Sequence, residues 1–364
     1  YYELYTKFGD IPYTTKVLSI KESMSIARTA KATVIANVLA DLDEVINGNY
    51  LPTSYDADNK GRITRWAAMA IKAKIYLFEG NWTQVKNITS TIMTEGGFKL
   101  FGSYAGLFEI ANEYNSEVIL DAQYRPTSRE HQMMYVFLPP TLGGYSQLSP
   151  LQELVDSYIM LDGKTIKETG TSFDESHPYA NRDPRLKATV MYTGNSYTLA
   201  DGTEVVINCE KGEGKDGYGV GSDCSATGYY IKKYWDNTYR ATLYSGLNPI
   251  LIRYADILLM NAEALAELGE LDKTAWDATI KPIRDRAGFT LASALEFPEG
   301  ASKDKLIEIV RNERRSELAL EGHRHKDIIR WRIADNVLNG WCHGLKTNDV
   351  VGTDDGYVRV ENRT

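Results

Sequence analysis

The stretch EGHRHKDIIRW, residues 321–331, places Glu321, His323, His325 and Asp327 within one short segment. Imidazoles and carboxylates are the side chains that ligate metals and move protons near neutral pH. Spacing decides whether they act together. On a helix, His323 and His325 leave on nearly opposite sides, because residues two apart do not share a face. On a strand they would share one, but the flanking residues do not read as strand. One His-x-His pair with only two further ligand types nearby is a weak metal signature. Just upstream, Glu313, Glu317 and Glu321 recur at intervals of four, which puts three carboxylates on one helix face. A di-metal carboxylate centre also needs a histidine three residues after a glutamate. Arg324 stands at that position after Glu321. Arg311, Arg314, Arg315 and Arg324 supply cations to match, so the face reads as an ion-pair network.

Other chemistry-bearing patterns fail on context. GEGKDG, residues 212–217, matches GxGxxG, yet YGVGSDCSATG after it does not open the helix whose N-terminus would meet a pyrophosphate. DADNKGRI begins like a calcium loop, but the position that should hold the bidentate Glu is Ala67, and Lys60 occupies a ligand position. There is no G-x-S-x-G elbow. His131, His177 and His343 have no local partner pattern. A pair of glycosidase carboxylates leaves no sequence mark, since the two converge from distant segments. These readings predict no metal, no cofactor and no catalytic residue. Cys209 and Cys224 flank the glycine-rich loop and could close it as a disulfide in an oxidising compartment, or stand as two unrelated thiols. Cys342 is left over.

Composition admits two readings, ring-binding surfaces or Tyr-rich loops and strands. The chain of 364 residues has 24 Tyr and 6 Trp against 9 Phe. Tyr and Trp offer a flat apolar face with a polar edge, the surface that a wet ring-shaped ligand requires, although Tyr is also common in strand-rich loops. The net charge of −8 and the lack of any Lys/Arg run argue against a nucleic-acid footprint. No apolar run approaches the ~20 residues of a membrane span. The first residue is Tyr1 and no signal-peptide pattern follows, which reads as a fragment whose start is absent.

Several elements must position these residues. IARTAKATVIANVLADLDEVING predicts a long helix with Ala30, Val34, Val38, Leu42 and Val45 in one stripe and Gly48 at its end. Residues 62–97 predict a helical hairpin broken at Gly80, with Ala67, Ala70, Ala73 and Leu77 on one face and Val85, Ile88 and Ile92 on the other helix. Its small residues and flanking aromatics suit a tetratricopeptide unit. SEVILDAQ and LKATVMY predict strands, and SYTLADGTEVVINC predicts a hairpin turning at Asp201-Gly202. Residues 101–247 are rich in Gly, Tyr and Pro and read as loops and short strands laid on a helical frame. NPILIRYADILLMNAEALAELG predicts a helix with Leu251, Ala255, Leu258, Ala262 and Leu265 in a stripe. TAWDATIKPIRDRAG is its partner, which Pro282 should kink or shorten. ASKDKLIEIVRNERRSELALEG follows, capped by Ser302.

Taken together, NPILIRYADILLMNAEALAELG, IRDRAG and ERRSELALEGHRHKDIIRW, in that order and spacing, resemble the signature of the SusD/RagB family. YYELYTKFGDIPY, GRITRWAAMAIKAKIYLFEGNW, LSPLQELVDSYIMLDGKTI, NRDPRL and GYYIKKYWD resemble further blocks of it, so the resemblance spans nearly the whole chain. Within EGHRHKDIIRW, the patterned positions are Glu321, Arg324, Asp327, Arg330 and Trp331. His323 and His325 fall on variable ones. The resemblance implies outer-membrane, surface-exposed lipoproteins of Bacteroidota that bind glycans without cleaving them. It also implies a SusC-like TonB-dependent transporter as partner and an N-terminal lipid anchor absent from this chain. By that pattern the first helices and the usual C-terminal segment are also missing.

The expectation is therefore a mainly α fold, a tetratricopeptide-like helical-repeat frame with long loop and short β-strand insertions, forming a single unit over residues 1–364. Residues 1–100 form the first helical part, 101–247 the insertion, 248–335 the second hairpin with the ERR-type helix, and 336–364 an irregular tail. The expected function is capture of oligosaccharide or polysaccharide, with peptide capture, a glycan-degrading enzyme and a pure helical scaffold as alternatives. The expected ligand residues lie in YYIKKYWDNTYRATLY, an aromatic cluster of Tyr229, Tyr230, Tyr234, Trp235, Tyr239 and Tyr244 in which Trp235 and Tyr239 come first, with Asn237 and Arg240 bonding sugar edges. Tyr145 and Gln147 of the GGYSQ loop come second. Lys233 and Tyr234 also resemble family scaffold, and a share of these rings is expected to pack the insertion onto the frame.

Overall fold

A computed structural model describes residues 1–238, 242–347 and 356–362. Helix α1 spans Lys31–Asn47, α2 Arg65–Phe78 and α3 Trp82–Glu95. The α2–α3 hairpin forms as its sequence predicts. Thr64 and Asn81 cap the two helices, their side-chain oxygens accepting from the N–H groups of Ala67 and Gln84. Gly80 makes the turn between them at φ 71°, a left-handed conformation that costs glycine little. Ala67, Ala70, Ala73 and Leu77 are all buried, so the small residues let neighbouring helices approach closely. The predicted first helix is too long at its start. Arg28–Thr29 instead pairs antiparallel with Ile11–Pro12.

The middle of the chain is loops with short elements. They are β1 (Val118–Asp121), α4 (Gln152–Ser157), α5 (Pro184–Thr189), β2 (Val190–Met191), β3 (Ser196–Thr198), β4 (Glu204–Val206) and β5 (Tyr230–Ile231). The β3–β4 hairpin forms in the register Ser196↔Val206 with Gly202 in its turn at φ 84°. LKATVMY corrects the sequence reading: most of it is helix α5, and only Val190 and Met191 are strand. Asp183 caps the helix through the Arg185 N–H, and Pro184 stands at its first position, where its missing N–H is not needed.

The frame resumes with β6 (Ile250–Arg253), α6 (Tyr254–Leu268), α7 (Lys273–Ala287), α8 (Lys303–Glu317) and α9 (Arg324–Arg330), followed by β7 (Trp341–Lys346) and β8 (Tyr357–Asn362). β6 is a second correction. Ile250–Arg253 pairs with β1 rather than starting α6, and Leu251 points out of the core, 49% exposed. A β-branched run beside a waiting strand takes the extended form. Pro282 does not shorten α7, which continues to Ala287 and ends at Gly288 with φ 104°. Burial of Trp276, Ile280 and Ile283 offsets the one lost ladder bond. Ser302 caps α8 as predicted.

Helix α6 is the centre of the frame. Its Ile257 and Met260 pack with Trp66, Val85, Ile92 and Ile119, and its Leu258 and Leu259 pack with Trp276, Ile283 and Val310. The insertion has a core of its own, built on Phe137, Leu138, Tyr158, Met191, Tyr197, Tyr230, Trp235 and Val358. Among the described residues, no helix is long and apolar enough to cross a membrane.

Candidate functional site

The densest charges of the molecule lie where frame and insertion meet, and they are buried. Arg253 bonds Glu117 at 2.7 Å, Glu317 at 2.6 Å and Glu321 at 2.8 Å. Arg185 bonds Asp183 and Glu313 at 2.7 Å and Glu317 at 2.8 Å. Arg284 reaches Glu313, Arg286 reaches Glu117 and Glu317, and Lys233 reaches Glu321 at 2.6 Å. The cations and carboxylates of this group are equal in number. The glutamates of α8 thus form the ion-pair network that their spacing predicts, but with other partners. The cations come from α5, β6, α7 and the loop at Lys233. Arg311, Arg314, Arg315 and Arg324 do not enter it. Glu321 lies beyond the last residue of α8, on the turn that follows. Burial opposes its charge, but Arg253 and then Lys233 hold its carboxyl down at about 2. Every cation and carboxylate of this group meets an opposite charge within it, and the lattice is a joint.

The rest of the opening stretch builds a second such cluster. Asp327 and Asp256 flank Arg314, and Glu263 takes the Arg330 guanidinium and the Trp331 indole N–H. His323 abuts Arg314, and burial, with Lys74 next, pushes its imidazole down to about 3, so it is neutral at physiological pH. His325 is exposed. No group of three or more His, Cys, Asp or Glu among the described residues is placed to hold a metal ion. Asp56 caps a short turn through Asn59, and the GEGKDG stretch is an irregular loop with no helix after it. Cys209 and Cys224 are free thiols, not a disulfide. Cys209 is buried, and burial pushes its thiol up to about 12. Cys224 donates to the Lys215 carbonyl.

The structure separates the predicted ligand residues. Trp235 and Tyr234 are buried, at 9% and 7% exposure. The Trp235 ring lies 5.0 Å from that of Tyr197, and its indole N–H donates to the Thr198 carbonyl. Tyr234 packs on Phe108 at 4.9 Å. Trp235 fills the insertion core and Tyr234 a second cluster with Tyr104, Phe108 and Ile250, and their burial corrects their assignment as sugar platforms. Aromatic type alone does not tell a buried ring from an exposed one. Asn237 is half-buried, and Tyr244 is exposed. Tyr239 and Arg240 lie outside the described residues. Tyr145 and Gln147 are on the surface, with Tyr145 stacked on Tyr135 at 4.3 Å.

A cleft of about 1270 Å³ opens elsewhere in the insertion. Tyr179 and Tyr192 stack on its wall, centroids 3.9 Å apart and planes inclined by 17°. Tyr229 meets Tyr179 edge-on, its hydroxyl 3.2 Å from that of Tyr179 and donating to Gln152 Oε1. Phe173 and Tyr357 complete the aromatic lining. The elements explain the placement. Tyr192 follows β2, Tyr179 precedes α5, and Tyr357 begins β8. The Arg182 guanidinium ties the Tyr179 segment to α4 by donating to the carbonyls of Pro178, Val155 and Tyr158. Gly228 forms the floor at φ 78°, where a Cβ would collide with Leu345. Burial holds the Tyr179 and Tyr229 phenols well above their usual range, so both stay protonated and act as neutral hydrogen-bonding edges. Rings with amide, hydroxyl and carbonyl edges can hold a polar, ring-shaped molecule by stacking and hydrogen bonds. Sequence reasoning missed Tyr179 and Tyr192. The available signal was weak: each is an aromatic residue beside turn-forming residues, in HPYANRDP and MYTGN.

Comparison with known proteins agrees with this architecture. The chain is 28% identical over 362 aligned residues, 93% of its length, to SusD-like protein P25 of Formosa agariphila, and it spans 62% of that relative. A SusD-like carbohydrate binding protein of Bacteroides fragilis superposes with a TM-score of 0.87 at 27% identity, over 100% of this chain and 72% of that one. A second SusD-like protein of the same species gives a TM-score of 0.81 at 26% identity, with coverage of 100% and 72%. Residues 1–77 match a family described as starch-binding and associating with the outer membrane, and residues 107–361 match the SusD family model. With most of its length inside that second match, this chain belongs to the SusD family.

Proposed function

We propose that the chain captures glycan at the cell surface, holding the sugar in the Tyr179–Tyr192 cleft and delivering it to a SusC-like TonB-dependent transporter of the outer membrane. The cleft carries this reading: stacked phenols and neutral hydrogen-bonding edges surround a volume that admits several sugar rings. Stacking against the apolar C–H face of a sugar and bonding of its hydroxyls need no tuned acid and base. The B. fragilis carbohydrate binding protein, similar over the full length of this chain, and the outer-membrane description of the family matched at residues 1–77 support the class of ligand and the location. Tyr145 and Gln147, with Tyr135, form a second aromatic surface that would extend the contact for a long chain.

Calorimetric titration of the chain against a panel of plant, microbial and host polysaccharides, with a peptide mixture alongside, tests this. The expected result is binding of one or a few polysaccharides, weakened at least tenfold by Tyr192→Ala, about 1.4 kcal/mol. Loss at Tyr145→Ala with Tyr192→Ala unaffected would move the site to the GGYSQ loop. Binding of peptides alone would replace the glycan reading.

A further inference from the structure

We propose that a groove of about 510 Å³ on the helical frame, between α8 and the α9 segment, binds a polypeptide segment through a carboxylate held by Arg315 and Arg324. The argument starts from the company that the frame's arginines keep. Along α7, α8 and α9, the guanidiniums of Arg284, Arg286, Arg311, Arg314 and Arg330 each meet a carboxylate. Arg315 and Arg324 line the same groove, and no ion pair engages either among the described residues. Arg315 donates to a backbone carbonyl, that of Glu153. The Glu153 carboxylate itself is turned to His343 at 2.7 Å. Arg324 lies 5.8 Å over the ring of Trp331. The neighbouring Asp327 is engaged by Arg314 and Arg330. Burial and then the proximity of Arg324 push the Arg315 guanidinium down to about 10, the direction expected of two like charges confined together. Arg182, a buried guanidinium that no ion pair engages among the described residues, differs because backbone carbonyls surround it.

Two adjacent guanidiniums present a planar fork of donors that matches a carboxylate. The remaining lining favours a polypeptide as its carrier. Ile307 and Ile333 offer aliphatic rather than aromatic contact, and Trp331 is buried, so no ring face is open for a sugar to stack on. Grooves between the helices of repeat frames are extended concave surfaces of the kind that accept peptides. The acids at the rim are partly engaged, Glu267 by Arg311 and Glu308 by Lys305, and Asp304 is exposed.

The test has two arms. In the free chain, Arg315→Met and Arg324→Met should each leave the melting temperature unchanged or raise it by about 1–2 °C, because each removes a repelling charge while keeping the aliphatic stem. Arg314→Met, which breaks a paired site, should lower it. In the second arm, arginine Nε–H resonances are followed by NMR during titration with the end-blocked tripeptide Leu-Glu-Leu, its Leu-Gln-Leu counterpart, glucuronate and sulfate. Saturable shifts for the glutamate peptide, at least tenfold weaker for the glutamine peptide and absent in both methionine variants, support the proposal. A melting temperature lowered as far as in Arg314→Met shows a structural role and overturns it. So does equal response to the glutamine peptide, or no response to any probe. Equal response to glucuronate or sulfate makes the groove a general anion site and overturns the polypeptide assignment.

Discussion

The joint between frame and insertion and the tyrosine cleft are both rich in polar side chains, and they treat them in opposite ways. At the joint, Arg185, Arg253, Arg284, Arg286 and Lys233 are fully buried against carboxylates. In the cleft, Tyr179 and Tyr192 stand half-open to solvent, Tyr229 and Gln152 are buried, and the Arg182 guanidinium in the lining is bound by backbone carbonyls. Depressed carboxylates therefore mark the buried ion lattice, not the place where a ligand would sit. A site chosen by its perturbed acids would have been placed on Glu317 and Glu321. The physical reason is that sugar capture needs exposed ring faces and unstrained hydrogen-bonding edges, whereas a buried ion lattice gains its strength from pairing each charge with an opposite one.

The largest expected effect comes from breaking the joint. Arg253→Met removes the partner of three carboxylates and leaves them buried with fewer cations. Breaking one buried pair costs about 3–5 kcal/mol. A loss at or above the top of that range is expected here, read as a fall in the denaturant midpoint or as failure to fold. A loss under about 1 kcal/mol would show that water enters the lattice and that the joint is not dry.

Trp235→Ala sharpens the comparison from the insertion side. It should cost about 3 kcal/mol through the cavity it leaves and the lost bond to Thr198. Its binding of glycan, measured well below its lowered melting point, should stay within a factor of a few of the parent chain. Tyr192→Ala should show the reverse pattern, a small change in stability with a large change in binding. If Trp235→Ala abolishes binding while the chain stays folded, the buried ring is coupled to the site and the two regions are not independent.

The helical hairpins were legible because their information is local. An apolar stripe at three- and four-residue steps, caps at Thr64, Asn81 and Ser302 and a glycine at each break specify a helix without help from the rest of the chain. The role of Glu313, Glu317 and Glu321 was legible too, since carboxylates at that spacing among arginines need pairing. Their actual partners were not, because Arg185, Lys233 and Arg253 lie far away in sequence and only the fold brings them in. The same limit hid the cleft. Tyr179, Tyr192, Tyr229 and Tyr357 come from separate segments, and nothing near Tyr192 in the sequence says that Tyr179 will stack on it. YYIKKYWD misled for the complementary reason: Tyr230 and Trp235 fill the insertion core, Tyr234 packs in a second cluster with Phe108 and only Tyr229 reaches the cleft, so a dense aromatic run serves packing as readily as binding. LKATVMY misled because Asp183-Pro184 just before it starts a helix that its own β-branched residues do not announce.

The smallest effect separates the two buried clusters by pH. Glu321, held down at about 2 against an ordinary 4.5, contributes stability that is full above pH 4.5 and lost only as pH falls through 2. His323 acts in a different window. Its folded value is about 3 against an ordinary 6.5, so below pH 6.5 the unfolded chain takes up a proton that the folded chain refuses. Stability then falls with falling pH from about 6.5 downward, well before the lattice titrates. Between pH 8 and pH 6 the decline from this one group should be on the order of 1 kcal/mol. His323→Gln keeps a polar side chain of similar reach beside Arg314 and cannot titrate, so it should flatten the stability profile over that range and leave the acid limb near pH 4 in place. A variant whose profile retains the full decline would show that His323 is solvated and that another group governs the neutral range. A variant that also loses the acid limb would show that the His323 cluster and the Glu321 lattice unfold as a single ionic unit.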